Sequence, residues 1–168
     1  MGSVERAEML SLDVPETLKS LKLQPLLAVQ LDVSVVQRAG MADRGLVIGV
    51  VSGGRFIGPK LMGKVLEGGS DWQRVLSDGA LRLDCRIMLQ TADGADIAMT
   101  YRGIRAGSPE VLRRLASGAP VRPDEYYLRI QSAFETGAPE YAWLNSIVTI
   151  GAGHRLPTGP IYNVFQVG

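Results

Sequence analysis

Residues 53–103 read GGRFIGPKLMGKVLEGGSDWQRVLSDGALRLDCRIMLQTADGADIAMTYRG, and this stretch decides the fold. Three glycine-marked turns divide it into short segments: Gly68-Gly69, Asp78-Gly79 and Asp93-Gly94. Between the turns, apolar residues recur at every second position, as they do in half-buried β-strands. The two Asp-Gly pairs are strong hairpin signals. The stretch therefore predicts an antiparallel β-meander.

The second long strand of this stretch, residues 80–91, carries the main chemical signal. One set of alternating side chains is apolar: Leu81, Leu83, Cys85, Ile87 and Leu89. The other set contains Arg82, Asp84, Arg86, Met88 and Gln90. Because residues two apart on a strand project from the same face, Asp84 and Arg86 share a face at a separation of about 7 Å. That face is either the solvated side of the sheet or, in a closed barrel, the lining of a pocket.

The same alternation continues on both sides of the meander. It predicts strands over residues 26–37, 45–51, 61–66, 71–75, 80–91, 95–103, 126–132, 141–150 and 161–167. One helix is predicted between Ser108, which suits the N-cap, and Gly118, which suits its end. The sequence is thus typical of a mainly β protein, an antiparallel β-barrel of about eight to ten strands with one short helix. A closed barrel is favoured over an open sheet because closure removes exposed strand edges. We expect a single domain over residues 1–168, because no linker or repeat divides the chain.

Composition excludes several classes of function. The chain has 18 basic and 17 acidic residues and no basic run, so we expect no nucleic-acid partner. No segment suits a membrane span or a secretory leader, which predicts no membrane partner and a cytoplasmic location. The single cysteine, Cys85, falls on the apolar set and is predicted to be a buried structural thiol. The single histidine, His154, falls in a glycine-rich segment predicted to be an exposed turn, and no phosphate loop, dinucleotide motif or metal-ligand spacing is present, so no cofactor is expected.

The order of the motifs is similar to that of a known family. The motifs are Gly58-Pro59, Gly63, Gly68-Gly69, Asp71-Trp72, Asp78-Gly79, Asp84, Arg86, Thr91, Asp93-Gly94, Tyr101, Gly103, Tyr141-Ala-Trp143-Leu-Asn145 and the closing Tyr162 to Val167. In this combination they resemble the DUF3237 family, also called UPF0311, over about residues 26–167, with residues 1–25 as an N-terminal extension outside the resemblance. The resemblance implies a small β-barrel, similar in architecture to allene oxide cyclase and dirigent-type barrels, that assembles as a homo-oligomer. It also implies a place in secondary metabolism, where cofactor-free ring closure is a reasonable activity.

We predict a site built from polar and aromatic residues of these motifs. The catalytic candidates are Asp84, Arg86 and Tyr101, and the substrate-binding candidates are Asp71, Trp72, Tyr127, Trp143 and Asn145. A carboxylate in an apolar barrel has a raised pKa, and a neighbouring arginine keeps it ionised, so Asp84 would act as a base that Arg86 orients. The tryptophans would form flat walls for an aromatic ligand. The structural alternative is that Asp84 and Arg86 form a salt bridge and that the tryptophans belong to the core.

These residues predict a cofactor-independent cyclase or isomerase that acts on a hydrophobic aromatic or polyketide-like small molecule. The expected step is removal of a phenol or alcohol proton and addition of the oxygen to an activated alkene in the same molecule (hydroalkoxylation), while Arg86, Asn145 or a tyrosine hydroxyl holds the enolate. A second hypothesis is a non-catalytic carrier for a lipophilic metabolite, which would return its ligand unchanged. A third is a structural oligomer whose barrel is filled by its own side chains.

Overall fold

A computed structural model of the chain describes residues 13–41 and 44–168. Its elements follow in the order β1 (Leu23–Met41), β2 (Arg44–Ile57), β3 (Met62–Val65), β4 (Gly69–Val75), β5 (Leu81–Thr91), β6 (Asp96–Gly107), α1 (Pro109–Ala116), β7 (Tyr126–Glu135), β8 (Thr149–Arg155) and β9 (Pro160–Val167). Three short 3-10 helices cover Glu16–Leu18, Pro123–Glu125 and Pro139–Ser146. The predicted mainly β architecture with one short helix is confirmed.

The nine described strands close into an antiparallel barrel. Neighbours along the sheet run β1-β9-β8-β7-β6-β5, and β1 also pairs with β2, which closes the ring. Strands β3 and β4 share one position between β2 and β5, because β3 pairs with the end of β2 near Ile57 and β4 pairs with Leu46 to Val51. The nine strands therefore occupy eight positions around the barrel.

Alternation along the strands separates the interior of the barrel from its outer face. In β5, Leu81, Leu83, Cys85, Ile87 and Leu89 are buried and the side chains between them are exposed or half-buried. Strand β7 shows the same strict alternation from Tyr126 to Glu135. The apolar set predicted for residues 80–91 thus faces inward, and Cys85 is a buried free thiol, as predicted.

Helix α1 closes one end of the barrel. The Ser108 hydroxyl accepts a hydrogen bond from the backbone amide of Val111 at 3.3 Å, as expected of an N-cap. Leu112 and Leu115 are buried on its inner side. This end holds the turn at Gly79 and the last residues of β6, whereas the turn at Gly94 lies at the other end of β5. No helix in the described ranges is long and apolar enough to cross a membrane.

Two predicted elements near the C-terminal end are wrong. Residues 141–146 were expected to begin a strand, but they belong to the 3-10 helix Pro139–Ser146, and β8 begins only at Thr149. Pro139 starts this helix, and side-chain hydrogen bonds hold it, so alternation in the sequence was misleading here. His154 lies within β8 rather than in a turn, and its Nδ1 lies 2.9 Å from the hydroxyl of Tyr126.

The predicted end of the second strand at residue 51 is also wrong. Strand β2 continues through Ser52-Gly53-Gly54 to Ile57, and the facing strand β1 carries register shifts around Val33. Gly54 has a φ of 139°, and a Cβ atom there would overlap the carbonyl oxygen of Gln30. The glycine therefore allows a close approach between two bent strands, a known role of glycine within sheets.

Candidate functional site in the barrel interior

One acidic side chain lies in the apolar interior of the barrel. Asp71 is 4% exposed, and it lies directly opposite Cys85 across the pairing of β4 with β5. Continuing around the barrel, Cys85 lies opposite Tyr101, which lies opposite Ser132. Because residues directly opposite on paired strands project from the same face, these side chains all point into the interior, about halfway along β5 and β6.

Several polar atoms around Asp71 are buried without a partner. Within the described part of the chain, Asp71 Oδ1, the Tyr101 hydroxyl oxygen and Arg105 Nε form no hydrogen bond. Asp71 Oδ2 accepts a hydrogen bond of 3.0 Å from Gln73 Nε2. Buried polar groups are nearly always paired. Here one acceptor, one hydroxyl and one cationic donor are unpaired in the same interior, which marks a candidate ligand site.

Burial dominates the electrostatics of Asp71. It raises the pKa of the Asp71 carboxyl from 3.8 to about 6, because the interior disfavours the charged form. The hydrogen bond from Gln73, the positive charge of Arg105 and the nearby Tyr101 hydroxyl lower that pKa, but only in part. Asp71 is therefore a carboxylate near neutral pH that accepts a proton more readily than a surface aspartate does.

The neighbours of Asp71 are a hydrogen-bond donor and a cation. Tyr101 is 1% exposed, and burial raises its pKa well above 10.0, so it remains a neutral donor. Its ring packs against that of Tyr162 with 5.1 Å between centroids. Arg105 belongs to the same inward-facing set of β6, opposite Leu128, and burial lowers its pKa, as does the positive charge of Arg155. An arginine remains charged in proteins nonetheless.

Of the predicted site residues, Asp71 and Tyr101 come together in this interior, but Asp84 and Arg86 do not join them. They lie on the outer face of β5, where the Asp84 side chain is 46% exposed and Arg86 is exposed. Asp84 faces Arg102 instead, with 3.7 Å between Oδ2 and Nε. The polar set of residues 80–91 is thus the outer side of the sheet.

Trp72 and Tyr127 also lie outside. Trp72 is 50% exposed, and its Nε1 donates a hydrogen bond of 3.0 Å to Ser70 Oγ. Tyr127 is 51% exposed, and the guanidinium carbon of Arg129 lies 4.9 Å from its ring centroid. Neither ring forms a wall of the barrel interior.

Trp143 and Asn145 lie at the end of the barrel opposite α1. Asn145 connects the 3-10 helix to β7, because its Oδ1 accepts from the Thr136 amide at 2.9 Å and its Nδ2 donates to the Thr136 carbonyl at 3.0 Å. Trp143 packs against the edge of the core, with Lys60 Nζ 5.2 Å from its ring centroid. These contacts link the 3-10 helix and Lys60 to that end of the barrel.

Arg105 and Tyr162 were not predicted as site residues. The signal for Arg105 was present, since it continues the alternation of Ile97, Met99, Tyr101 and Gly103 on β6. An arginine in register with inward-facing residues indicates a cation at the barrel interior, and Arg105 is half-buried there. Tyr162 comes from β9, and only closure of the barrel brings its ring to Tyr101. Across residues 13–41 and 44–168, no group of three or more His, Cys, Asp or Glu side chains is arranged to hold a metal ion.

Comparison with known proteins assigns the chain to a family. The family model described as Protein of unknown function (DUF3237) matches residues 21–167. The chain belongs to the DUF3237 family. This DUF3237 chain is 34% identical over 136 residues to the UPF0311 protein of Rhodopseudomonas palustris, covering 81% of the chain and 88% of that relative. The resemblance inferred from the motifs is therefore confirmed.

Solved structures support the barrel. A β-barrel like protein from Acinetobacter baumannii superposes on this DUF3237 chain with a TM-score of 0.78 and 36% identity, covering 94% of the chain and 100% of its own. An enzyme from Penicillium herquei superposes with a TM-score of 0.70 at 21% identity, covering 92% of the chain and 100% of its own. At that identity the second comparison shows a shared fold alone.

Proposed function

We propose that this protein is a cofactor-independent enzyme, a cyclase or isomerase, whose reaction takes place beside Asp71 in the barrel interior. The observation that carries the proposal is the buried residue Asp71, 4% exposed, whose carboxyl has one unpaired oxygen in the interior that also holds an unpaired tyrosine hydroxyl and an unpaired arginine nitrogen. A base, a neutral donor and a cation in an apolar enclosure are the groups that proton transfer and oxyanion stabilisation require. The surrounding leucine, isoleucine and valine side chains suit a hydrophobic aromatic or polyketide-like substrate.

The reaction class that fits these groups is intramolecular hydroalkoxylation. The Asp71 carboxylate takes the proton of a phenol or alcohol, and the resulting oxygen anion forms a bond to the β-carbon of an activated alkene. The electrons of the alkene move onto the conjugated carbonyl oxygen, where Arg105 and the Tyr101 hydroxyl stabilise the enolate. Asp71 then returns its proton to the α-carbon. The net change is an isomerisation, so no cofactor is consumed.

This proposal moves the base from Asp84 to Asp71 for a physical reason. Asp84 is half exposed on the outer face, where water competes for its charge, whereas Asp71 is enclosed and its pKa is raised to about 6. A general base works best when its pKa lies near the operating pH. The Penicillium herquei enzyme indicates that a barrel of this shape hosts catalysis in another protein, although a fold by itself does not fix a function.

The test is cyclisation of 2′-hydroxychalcone to flavanone, since this probe carries a phenol and an activated alkene in one molecule. We expect the wild-type protein to accelerate the reaction over the buffer background and to give one flavanone enantiomer in excess, measured by chiral chromatography. Asp71→Asn should reduce the rate by about a hundredfold or more, because the base is lost. Asp84→Asn is the matched control, and it should retain the rate because it removes the same charge on the outer face.

Two results would contradict the assignment. The first is equal turnover by the wild type and the Asp71→Asn variant, and the second is loss of turnover in Asp84→Asn with Asp71→Asn fully active. A racemic product at the buffer rate with every variant favours the second candidate function, a non-catalytic carrier for a lipophilic metabolite. The feature that favours the carrier is the same apolar enclosure, and its signature is tight binding with the ligand recovered unchanged. Homo-oligomeric assembly stays a prediction, which sedimentation velocity tests.

A further inference from the structure

A second, separate feature lies on the outer face of the barrel. Four arginines of β4, β5 and β6 line a groove of about 640 Å³ beside Trp72. We call this feature the arginine groove, and its arginines are Arg74, Arg82, Arg86 and Arg102. All four are exposed, and the interior site described above shares none of them.

The charge of the arginine groove is poorly balanced. Its one carboxylate is Asp84, which lies 3.7 Å from Arg102. Among the residues that the structure describes, Arg74, Arg82 and Arg86 form no ion pair. Four positive charges and one negative charge leave the groove with a net charge of +3 in a protein whose total is +1. The groove therefore attracts anions.

The register of the sheet places two of these charges against each other. Arg74 of β4 lies directly opposite Arg82 of β5. Like charges that face each other across paired strands destabilise a sheet. Farther along the same two strands, Arg86 lies opposite Ser70 and adds a third guanidinium on the same face. Asp84, the one carboxylate of the groove, pairs with Arg102 and forms no ion pair with Arg74 or Arg82. A facing pair of arginines without an ion-pair partner favours the binding of an anion.

Trp72 supplies a planar surface in the same groove. Its indole is half exposed, and the hydrogen bond from Nε1 to Ser70 Oγ at 3.0 Å fixes the orientation of the ring. A fixed, exposed indole beside guanidinium groups can stack on a flat aromatic molecule. A second copy of the chain is a poor occupant, because a two-fold contact through this face would place four arginines against four arginines.

We infer that the arginine groove binds a small planar aromatic molecule that carries phosphate or carboxylate groups. Trp72 stacks on the ring, and Arg82 and Arg86 bind the anionic oxygens, for which the planar guanidinium is well suited. This inference stands independently of the interior reaction, since a molecule bound here remains outside the barrel.

Trp72 itself reports on binding. The chain has two tryptophans, so Trp143→Phe leaves Trp72 as the sole tryptophan fluorophore. In that background, adenosine 5′-monophosphate tests a ring with phosphate and isophthalate tests a ring with carboxylates, while adenosine and inorganic phosphate test the ring and the charge alone. We expect one of the two aromatic anions to quench Trp72 with a Kd about tenfold or more below those of adenosine and phosphate. The tighter of the two identifies the anionic group.

Arginine variants test the assignment. Arg82→Ala should weaken binding of that aromatic anion by about fivefold, as expected for one exposed charge contact. Arg113→Ala on the exposed side of α1 is the matched control, since it removes the same charge at a residue that does not line the groove, and its Kd should stay unchanged. Binding should also weaken as salt is raised from 50 to 500 mM, because exposed charges are screened.

A measurement without arginine variants gives an independent result. In the Trp143→Phe background, iodide should quench Trp72 more efficiently than caesium when each is expressed relative to its quenching of free N-acetyltryptophanamide, because the net charge of the groove concentrates anions there. Equal quenching by the two ions would overturn the inference. So would adenosine binding as tightly as adenosine 5′-monophosphate and isophthalate, or an unchanged Kd in Arg82→Ala. Binding of polyglutamate with no response to the small anions would assign the groove to an acidic protein partner instead.

Discussion

Replacement of Asp71 by asparagine should stabilise the fold at alkaline pH while it removes the proposed base. The carboxyl ionises near pH 3.8 in a model peptide and near pH 6 in the folded protein, because the interior opposes its charge. Between those values the folded state holds one proton more than the unfolded state. Stability contributed by this group is therefore present below pH 3.8 and is lost as the pH rises through 6.

The magnitude follows from the two pKa values. A difference of about 2 between them corresponds to about 3 kcal/mol of unfolding free energy, and most of this is lost between pH 4 and pH 8. An asparagine is uncharged, so it avoids the free-energy cost of a buried charge, and its side-chain oxygen can still accept the hydrogen bond from Gln73. We therefore expect Asp71→Asn to exceed the wild type by about 2–3 kcal/mol at pH 8 and to match it within about 1 kcal/mol at pH 4.

Urea unfolding at the two pH values measures this difference directly. Thermal unfolding should show the variant melting about 5–10 °C above the wild type at pH 8, as expected for a chain of this size. Asp84→Asn is the matched control, because its exposed carboxylate contributes at most about 1 kcal/mol through the pair with Arg102. The free energy of unfolding should change by nearly the same amount between pH 4 and pH 8 in the wild type and in this control.

One result would refute the reasoning about Asp71. Suppose that Asp71→Asn has a lower free energy of unfolding than the wild type at pH 8, and that the gap between the two proteins is no larger at pH 8 than at pH 4. The buried carboxylate would then stabilise the barrel through Arg105 and Gln73. Asp71 would in that case be part of the structure, and the interior site would lose its base.

Three further outcomes are expected. Tyr101→Phe removes a buried hydroxyl that has no partner, so the free energy of unfolding should stay equal or rise by about 1 kcal/mol in urea titrations, while flavanone formation falls. The initial rate of 2′-hydroxychalcone cyclisation, corrected for the buffer reaction, should rise with pH through about 6 as Asp71 ionises, and a profile flat from pH 5 to pH 8 would contradict its role as base. Gly153→Ala should destabilise the barrel by about 1–3 kcal/mol in thermal or urea unfolding. The reason is that a Cβ atom there would lie 2.5 Å from Tyr162 Cε1 and 2.8 Å from Leu128 Cδ2. An unchanged unfolding midpoint would mean that β8 shifts to accommodate the methyl group without cost.

The family and the fold class were accessible from sequence because both depend on local signals. Glycine turns, Asp-Gly hairpins and alternation of apolar residues predicted the strands of the meander, and Ser108 predicted the start of the helix. Alternation failed at residues 141–146, where Pro139 and the side-chain contacts of Asn145 favour a 3-10 helix. A two-residue period in so short a segment does not distinguish the two structures.

The candidate site was predicted only in part. Asp71 and Tyr101 were named from their motifs, and both lie in the interior. Asp84 and Arg86 were named as catalytic candidates, a role that required their face of the strand to line the barrel, and they lie on the outer face. Alternation divides the residues of a strand into two sets, but it does not say which set faces inward. In this sheet the inward-facing sets of β4 and β6 also contain charged residues, so charge alone does not identify the outer set. The apolar set from Leu81 to Leu89 faces the core because burying it releases more water than burying the polar set would.

The sequence by itself thus determined a β-barrel of the DUF3237 family with one capped helix, because periodicity and turn chemistry are properties of short segments. Only the tertiary structure decided which charged side chain lies inside. Asp71 and Tyr101 are 30 positions apart, and Tyr162 is a further 61 positions along the chain, so their meeting depends on the register of β4, β5 and β6 and on closure through β9.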